Sequence, residues 1–247
     1  MTQQAGDDIT AMGLALTVDG ATRLDNGGNN VTIFAADNSG TTAYTDIDSF
    51  TLGTLVVDGM QVEGVNVNGD LEFISGGDID QNSDAAIVVS GTSDLNAAGN
   101  IVLLGNDRDP SDGGNSNDFQ GTVNVNTNPA LDAPTRNFVE IADINQLIVE
   151  DARSNTGIHL YAGTSAPAQL ELTGEVTTTN VLLQSSGGAT QAAATGVIQA
   201  SELIVGGDQA SESSGAFILQ GQNQVDNIAG NLPVSYTHLT LPTIYSV

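Results

Sequence analysis

The amino-acid sequence predicts an all-β protein built as a β-solenoid, and three observations support this prediction. Short apolar runs with strand-like alternation recur along the chain, turn-forming residues separate them, and segments roughly 100 residues apart resemble one another. The composition agrees, because 29 of the 247 residues are glycine and only 4% are aromatic. A chain of this length can form one all-β unit with a sizeable core.

The apolar runs have the length of strands and are rich in β-branched residues. They are residues 50–57, 71–75, 86–89, 100–105, 121–126, 138–142, 146–150, 158–162, 168–174, 180–185, 202–207 and 216–221. Turn formers such as NGGNN, GGDID and SSGGAT lie between them. No segment shows a helical period with capping residues, so we expect strands throughout.

Internal repeats favour a solenoid over a sandwich or a barrel. The echoing segments are DIDSFTLG from Asp46 with DINQLIVE from Asp143, LEFISGGDIDQ ending at Gln81 with VLLQSSGGATQ ending at Gln191, and NNVTIFAAD from Asn29 with NQVDNIAGN from Asn223. Their spacing is too long for one turn, so each repeat would contain several turns of about 20 residues. Apolar side chains would then point inward, and Thr, Ser, Asn and Asp outward, with Gly and Asn at the corners.

The charge of the chain excludes several partners. There are 30 acidic residues against four arginines and no lysine, which gives a net charge of -26. Phosphates and anionic headgroups repel such a polyanion, so we expect neither nucleic acid nor an anionic membrane surface as a partner.

There is no cysteine, hence no disulfide, thiolate metal site or cysteine nucleophile. No apolar run is long enough for a membrane-spanning helix.

The order of the motifs resembles a known family. NNV-x-x-FAA, TDIDSFTLGTLVVDG, GVNVNGDLEFISGGDIDQ, IVVSGTSDLNAAGNIVLLG, NDFQGTVNV and VEIADINQLIVEDA follow one another between residue 29 and about residue 230. This series is similar to the repeats of large filamentous-haemagglutinin-like adhesins, which are passengers of two-partner secretion or autotransporter systems. The specificity lies in the order of the motifs, since no single one is diagnostic.

The resemblance implies a fold and a function. The fold would be a right-handed parallel β-helix, and the function a structural and adhesive segment of a large secreted bacterial surface protein, without enzymatic activity. Its partners would be surface glycans or proteins of the host or of neighbouring cells, and an outer-membrane transporter for export. We therefore expect an extracellular or surface-attached location. The first 20 residues do not form a signal peptide, so a signal for export would lie upstream of Met1.

One loop contains candidate metal ligands. In NDRDPSDGGNSND, residues 106–118, the carboxylates of Asp107, Asp109, Asp112 and Asp118 lie close together, as in oxygen-rich calcium loops. The match to an EF-hand is imperfect, because Asp112 occupies the position of the turn glycine and Asp118 that of the bidentate glutamate. The alternative is a solvated loop of turn formers. We predict no other cofactor.

Two further segments suggest chemistry. GGDID, residues 76–80, resembles a calcium-binding nonapeptide but lacks its second glycine and a tandem copy, so a corner turn is favoured. The second segment is a cluster of charged residues: Asp143, Glu150, Asp151, Arg153 and His159. Because β-helices also carry glycan-cleaving sites, and such sites need two carboxylates, this cluster is the candidate for one. Chance pairs of carboxylates are frequent on a polyanion, so the cluster alone does not show an enzyme. A polysaccharide lyase or hydrolase is therefore kept as the alternative function. A calcium-stabilised surface-layer or RTX-like module is the second alternative.

The single histidine outside the C-terminal tail is predicted to be a surface residue. His159 alternates with Ile158 and Leu160 in IHLYA. In a strand this alternation places His159 on the outer side, where it could stack near Tyr161.

The last 14 residues differ from the rest of the chain. VSYTHLTLPTIYSV, residues 234–247, contains no acidic residue, whereas the preceding residues contain all 30. Residues 234–243 resemble a translated sequencing adapter. We therefore expect residues 1–233 to form a β-helical passenger fragment and residues 234–247 to be a non-native, adapter-derived tail that is disordered or loosely packed.

Overall fold

The computed structural model describes residues 1–105, 117–127, 137–163, 169–206 and 215–231, and the fold is stated for these ranges. The predicted all-β solenoid is confirmed, because parallel strands stack in about eight turns and no residue in these ranges is helical. In the same part of the chain no helix is long and apolar enough to cross a membrane.

The strands are short, as the runs of branched residues predict. They are β1 (Thr10–Val18), β2 (Thr22–Leu24), β3 (Asn30–Asn38), β4 (Thr42–Asp46), β5 (Phe50–Leu52), β6 (Thr54–Val57), β7 (Met60–Glu63), β8 (Val65–Val67), β9 (Leu71–Ser75), β10 (Ile79–Gln81), β11 (Ile87–Val89), β12 (Ser93–Ala97), β13 (Ile101–Leu103), β14 (Asp118–Phe119), β15 (Thr122–Thr127), β16 (Phe138–Asp143), β17 (Leu147–Arg153), β18 (Gly157–Ala162), β19 (Leu170–Leu172), β20 (Glu175–Thr177), β21 (Asn180–Ser185), β22 (Ala189–Gln191), β23 (Val197–Gly206), β24 (Phe217–Ile218) and β25 (Gln224–Asn231).

Each coil has three faces, and every face is a parallel sheet. Face 1 contains the start of β1, the start of β3, β5, β10, β13, β16, β18, β21 and the ends of β23 and β25. Face 2 contains the ends of β1 and β3, then β8, β11, β14, the start of β17, β19, β22 and β24. Face 3 contains β2, β4, β9, β12, β15, the end of β17, β20 and the starts of β23 and β25. With strands about 4.8 Å apart, eight turns span roughly 40 Å.

The length of a coil agrees with the predicted turns of about 20 residues. Thr10 pairs with Asn30, 20 residues later, and Leu71 pairs with Ser93, 22 residues later. The coil between β3 and β8 is longer, with Ala36 paired to Val65, because the residues of β6 and β7 leave the solenoid and return to it.

Inward side chains form ladders along the solenoid axis. On face 1 the paired residues of successive coils are branched aliphatics with at most 2% of their surface exposed: Ile79, Ile101, Val139, Ile158, Val181 and Leu203. Burial of one such side chain stabilises the fold by about 1.5–3 kcal/mol. Stacking of like residues between coils therefore replaces a single globular centre.

An aromatic cluster fills the core of the N-terminal coils. The ring of Phe34 stacks on that of Tyr44 with centroids 4.7 Å apart, and the edge of Phe50 meets Phe73 at 5.3 Å. The Tyr44 hydroxyl donates a hydrogen bond to the carboxylate of Asp46. Burial raises the pKa of Tyr44, chiefly by desolvation, and it also raises that of Asp46.

Buried and half-buried amides connect the coils at three corners. Three glutamine–asparagine pairs exchange two hydrogen bonds each, at 2.6 Å from glutamine to asparagine and at 3.0–3.1 Å in return: Gln3 with Asn29, Gln81 with Asn117, and Gln191 with Asn223. The asparagine oxygen of each pair also accepts a backbone N–H at 2.9–3.0 Å, from Ile9, Ile87 and Ile198 respectively. The pairs therefore satisfy backbone groups that a sharp corner would leave buried and unpaired.

An aspartate in the following coil completes two of these sites. Asp46 accepts the N–H of Val31 at 2.9 Å, and Asp143 accepts that of Phe119 at 2.6 Å. Asn29 supplies backbone and side-chain bonds to the residues that flank Asp46, and Asn117 does the same around Asp143. We name these sets unit 1 (Gln3, Asn29, Asp46), unit 2 (Gln81, Asn117, Asp143) and unit 3 (Gln191, Asn223).

The units explain the long repeats in the sequence. Unit 1 lies at the corner between faces 3 and 1, unit 2 at the corner between faces 1 and 2, and unit 3 at the corner between faces 2 and 3. Each repeat therefore advances by a whole number of turns plus one face. The echoing DID and DIN segments begin with the aspartates of units 1 and 2.

One predicted strand is wrong. Residues 50–57 divide at Gly53 into β5, which belongs to face 1, and β6, which pairs antiparallel with β7 as a hairpin outside the solenoid. A side chain at Gly53 would clash with Ile33, 2.8 Å from its Cβ position. The turn residues Asp58 and Gly59 have φ of 51° and 83°, as in a type I′ hairpin turn. The Asp-Gly pair was the sequence signal for this hairpin.

We expect Ile158→Ala to lower the free energy of unfolding by about 3 kcal/mol, because it leaves a cavity in the face 1 ladder. Urea unfolding followed by circular dichroism measures this change. The matched control is Ile204→Ala, since Ile204 faces outward with 45% of its surface exposed. Equal losses for the two variants would contradict the inward ladder.

We expect Asn117→Ala to cost about 3 kcal/mol, because it leaves the amide of Ile87 and the carbonyls of Leu103 and Ala142 without their partner. Thermal and urea unfolding measure the loss. Asn126→Ala is the control, because its outward side chain makes no hydrogen bond within the described residues. A loss no larger than that of the control would show that unit 2 does not stabilise the corner.

Candidate functional site

A polar groove on the outer surface of face 3 is the candidate functional site. It encloses about 460 Å³ and crosses β9, β12, β15 and β17. Its lining side chains come from two neighbouring columns that run along the solenoid axis. One column is Glu72, Asp94, Asn124 and Asp151, and the other is Asn96, Asn126 and Arg153.

The first column is held together by hydrogen bonds between coils. The Asn124 amide donates to Asp94 at 2.9 Å, and the Asn124 oxygen accepts the N–H of Asp151 at 3.1 Å. Asp151 in turn accepts the N–H of Glu175 at 2.9 Å. These contacts fix the floor of the groove, whereas Glu72 at its end makes no side-chain hydrogen bond within the described residues.

The second column presents hydrogen-bonding groups to a ligand. The amides of Asn96 and Asn126 are half-buried and have no hydrogen-bond partner among the described residues. Arg153 closes the column and lies 3.3 Å from Glu175. Both of these charged side chains are substantially exposed, so their ion pair adds little to stability.

A register shift adds a second carboxylate to the groove. The pairing of β15 with β17 slips between Val123 and Asn124, so that Glu150 and Asp151 both point outward although they are consecutive. Strand irregularities of this kind re-aim side chains and are frequent near binding sites. The groove thus gains a second carboxylate on the same strand.

The structure divides the charged cluster that the sequence suggested. Glu150, Asp151 and Arg153 line the groove together. Asp143 does not join them, because its buried carboxylate belongs to unit 2. It accepts hydrogen bonds from the backbone N–H groups of Phe119 and Asn145. The groove residues that sequence reasoning missed, Glu72, Asp94, Asn96, Asn124 and Asn126, come from earlier coils and could be found only from the pairing register.

His159 lies on face 1 and faces outward, as predicted. Its ring meets Tyr161 edge-on with centroids 6.5 Å apart. Its Nδ1 is 2.8 Å from Glu140, which is the paired residue in the preceding coil. The ring is therefore held by its neighbours on the surface of face 1, away from the groove.

The predicted calcium loop lies almost entirely outside the described residues. Of its candidate ligands Asp107, Asp109, Asp112 and Asp118, only Asp118 is described. Its oxygens accept the side-chain amides of Gln120 at 2.9 Å and Asn145 at 3.3 Å. The described ranges contain no group of three or more His, Asp or Glu side chains placed to hold a metal ion. The calcium site stays a prediction.

GGDID forms a corner turn, as the sequence favoured. A side chain at Gly76 would lie 1.9 Å from the carbonyl oxygen of Ile47, and one at Gly77 would lie 2.2 Å from the hydroxyl of Ser49. Only glycine allows the coils to approach so closely at this corner. The Asp78 carboxylate accepts a hydrogen bond from the backbone N–H of Asn100, in the following coil, at 2.6 Å.

The groove has the chemistry of a binding surface for polar ligands. Carboxylates accept hydrogen bonds from hydroxyl or ammonium groups, and the asparagine amides both donate and accept. The surroundings are acidic, since the chain carries a net charge of -26, so anionic ligands are disfavoured.

Stacked parallel coils with polar outer columns define the class of β-solenoid repeat proteins. A family model described as "Repeats of unknown function (DUF5649)" matches residues 1–47 and residues 39–126. Together these segments cover just over half of the 247 residues, and the chain belongs to this family. The first segment contains all of unit 1, and the second contains Gln81 and Asn117 of unit 2. No curated protein and no solved structure matches the chain.

We expect Asp80→Asn to raise the melting temperature at pH 7. Burial raises the pKa of Asp80, with a smaller contribution from the charge of Asp78, so ionisation of Asp80 costs stability at neutral pH. This cost is absent below the unfolded-state pKa of about 3.9, because Asp80 is then protonated in both states. The melting temperatures of the unaltered protein and of the Asp80→Asn variant should therefore converge in acid.

The control for Asp80→Asn is Glu72→Gln, which removes one negative charge from an outward side chain that makes no hydrogen bond within the described residues. Differential scanning calorimetry between pH 3 and pH 8 gives the comparison. A fall in melting temperature at pH 7, or a gain no larger than that of the control, would rule out a specific penalty at Asp80.

Proposed function

We propose that the chain is a structural and adhesive segment of a large secreted bacterial surface protein, without enzymatic activity. The observation that carries this proposal is the continuous parallel stack, in which ladders and corner units close the core and leave whole columns of outward side chains to the solvent. A solenoid gains length by adding coils, because each coil contacts only its neighbours. Such a body serves as a spacer and as a surface for contacts.

The outer columns support the adhesive part of the proposal. Outward residues such as Glu72, Asn96 and Asn126 are not needed for the core, so their chemistry is available for contacts with a partner. Glycans or proteins on the surface of host or neighbouring cells are the partners we propose. The groove on face 3 is the first place to look for such contacts.

Location and export belong to the same proposal. The protein would be extracellular or attached to the cell surface, after passage through an outer-membrane transporter. The absence of cysteine suits a chain exported in unfolded form, because no disulfide has to be avoided on the way.

Beads coated with the full chain test the adhesive function. We expect them to be retained under flow on at least one surface coated with cells, neutral glycans or matrix proteins, several-fold above uncoated beads. The matched control is a triple variant of the groove, Asn96→Ala, Asn126→Ala and Glu150→Ala, which leaves the inward ladders intact. Retention no higher than that of uncoated beads on every surface would contradict adhesion.

A cleavage assay separates this proposal from the enzymatic alternative. The same protein is incubated with polyuronates and with neutral glycans, and new reducing ends and unsaturated uronates are measured. We expect no release above that of buffer. Release that is lost on Glu150→Ala would favour a lyase or a hydrolase instead.

A further inference from the structure

The polar groove on face 3 has a second groove in line with it. The second groove encloses about 530 Å³ and is lined chiefly by residues of β23 and β25, with Thr178 from the end of β20. The start of β23 pairs with β20 and with the start of β25, so all of these segments belong to face 3. The two grooves therefore follow one another along the solenoid axis on the same outer surface.

One column of paired side chains runs through both grooves. Each member pairs with the next in the neighbouring coil, the first three line the first groove and the last two line the second. We name this column the face 3 track, and its members are Asn96, Asn126, Arg153, Thr177, Gln199 and Gln224. With strands about 4.8 Å apart, the six strands that carry it span roughly 24 Å.

A single carboxylate orients the centre of the track. Glu175 accepts hydrogen bonds from three members of the track, which come from three successive coils. The donors are Arg153 at 3.3 Å, the Thr177 hydroxyl at 2.6 Å and the Gln199 amide at 3.0 Å. Because these side chains are already held in place, less conformational entropy is lost when a ligand binds to them.

The track offers hydrogen bonds without net charge. Its charged member, Arg153, is paired with Glu175. The other five members are amides and a hydroxyl, which both donate and accept hydrogen bonds. The side chains of Asn96, Asn126 and Gln224 make no hydrogen bond within the described residues. Neutral hydroxyl groups are therefore the ligand chemistry that fits.

The geometry of the track favours a linear ligand. The track runs along the solenoid axis with one member per coil. The strand spacing of about 4.8 Å is close to the length of one β-1,4-linked hexose unit, so successive sugars of an extended chain would meet successive members. A chain with α-1,4 links curves and would leave the track. Protein partners usually need a buried aromatic or apolar anchor, and no member of the track supplies one.

We propose that the face 3 track binds a linear, neutral, β-1,4-linked polysaccharide that lies along the solenoid axis with about one sugar unit per coil. This assignment rests on the proposed adhesive function and narrows its partner to one class of surface glycan. The amides and the hydroxyl of the track exchange hydrogen bonds with the sugar hydroxyls. Glu72 and Glu150, which line the first groove beside the track, accept further hydroxyl groups.

Calorimetric titration of the full chain with cello-oligosaccharides tests this site without any substitution. We expect the affinity to rise by roughly tenfold or more from the disaccharide to the hexasaccharide, because added sugars make hydrogen bonds to further coils. The α-1,4-linked glucose hexasaccharide should bind much more weakly, and high salt should leave the affinity for the β-linked one unchanged. Equal affinities for the disaccharide and the hexasaccharide, or for the two linkages, would overturn the proposal.

A double variant removes one member of the track from each groove. For Asn126→Ala with Gln199→Ala we expect a roughly tenfold loss of affinity for the β-linked hexasaccharide, as the loss of two hydrogen bonds predicts. The melting temperature should stay close to that of the unaltered protein, because both side chains point outward. Asn227→Ala is the matched control, since it removes an exposed amide from face 1. Equal affinities of the two variants would place the sugar elsewhere and contradict the track.

The ligand class and the adhesive function can fail separately. If none of these oligosaccharides binds while coated beads are still retained on cells or matrix proteins, the assignment of the track is overturned and adhesion stands. Binding of a lysine-rich peptide in place of the sugars, lost at high salt, would assign this surface to the carboxylates of the first column and would also overturn the proposal.

Discussion

Each coil of this solenoid must satisfy its backbone polar groups at three corners while its neighbours lie only one strand spacing away. At three of these corners a reciprocal glutamine–asparagine pair meets this constraint, because the asparagine side chain reaches backbone groups of more than one coil. Asn117, for example, bonds the backbone of Ile87, Leu103 and Ala142 in addition to its glutamine partner. Without such groups, the turns between strands would leave donors and acceptors buried and unpaired.

The ladders and the units make different contributions. The aliphatic ladders supply most of the burial, but they specify register weakly, since Ile, Val and Leu are nearly interchangeable in a column. The units are specific, because a reciprocal amide pair and an aspartate corner fit together in one alignment only. Asp46 links the two, because its buried carboxylate accepts hydrogen bonds from the hydroxyl of Tyr44 in the aromatic cluster and from the backbone N–H groups of Val31 and Asp48.

Much of the fold could be predicted from the sequence. The runs at residues 71–75 and 180–185 coincide with β9 and β21, because alternation in a strand reports burial directly. The run at residues 50–57 predicts one strand, whereas its second half forms the first strand of a hairpin that turns at Asp58 and Gly59. The groove could be predicted only in part. Glu150, Asp151 and Arg153 are close in sequence, whereas Glu72 and Asp94 reach the site through the pairing of successive coils. Loops of varying length shift that register, and a single sequence does not reveal the shift.

The one-face advance of the units also controls how a longer array of such repeats would present itself to its surroundings. Because each repeat ends one face further round than it began, a contact residue carried once per repeat would point in three directions in turn. Only every third repeat would then face the same side. An array of this kind would engage partners all around its axis, and its binding would not depend on which side met a surface first.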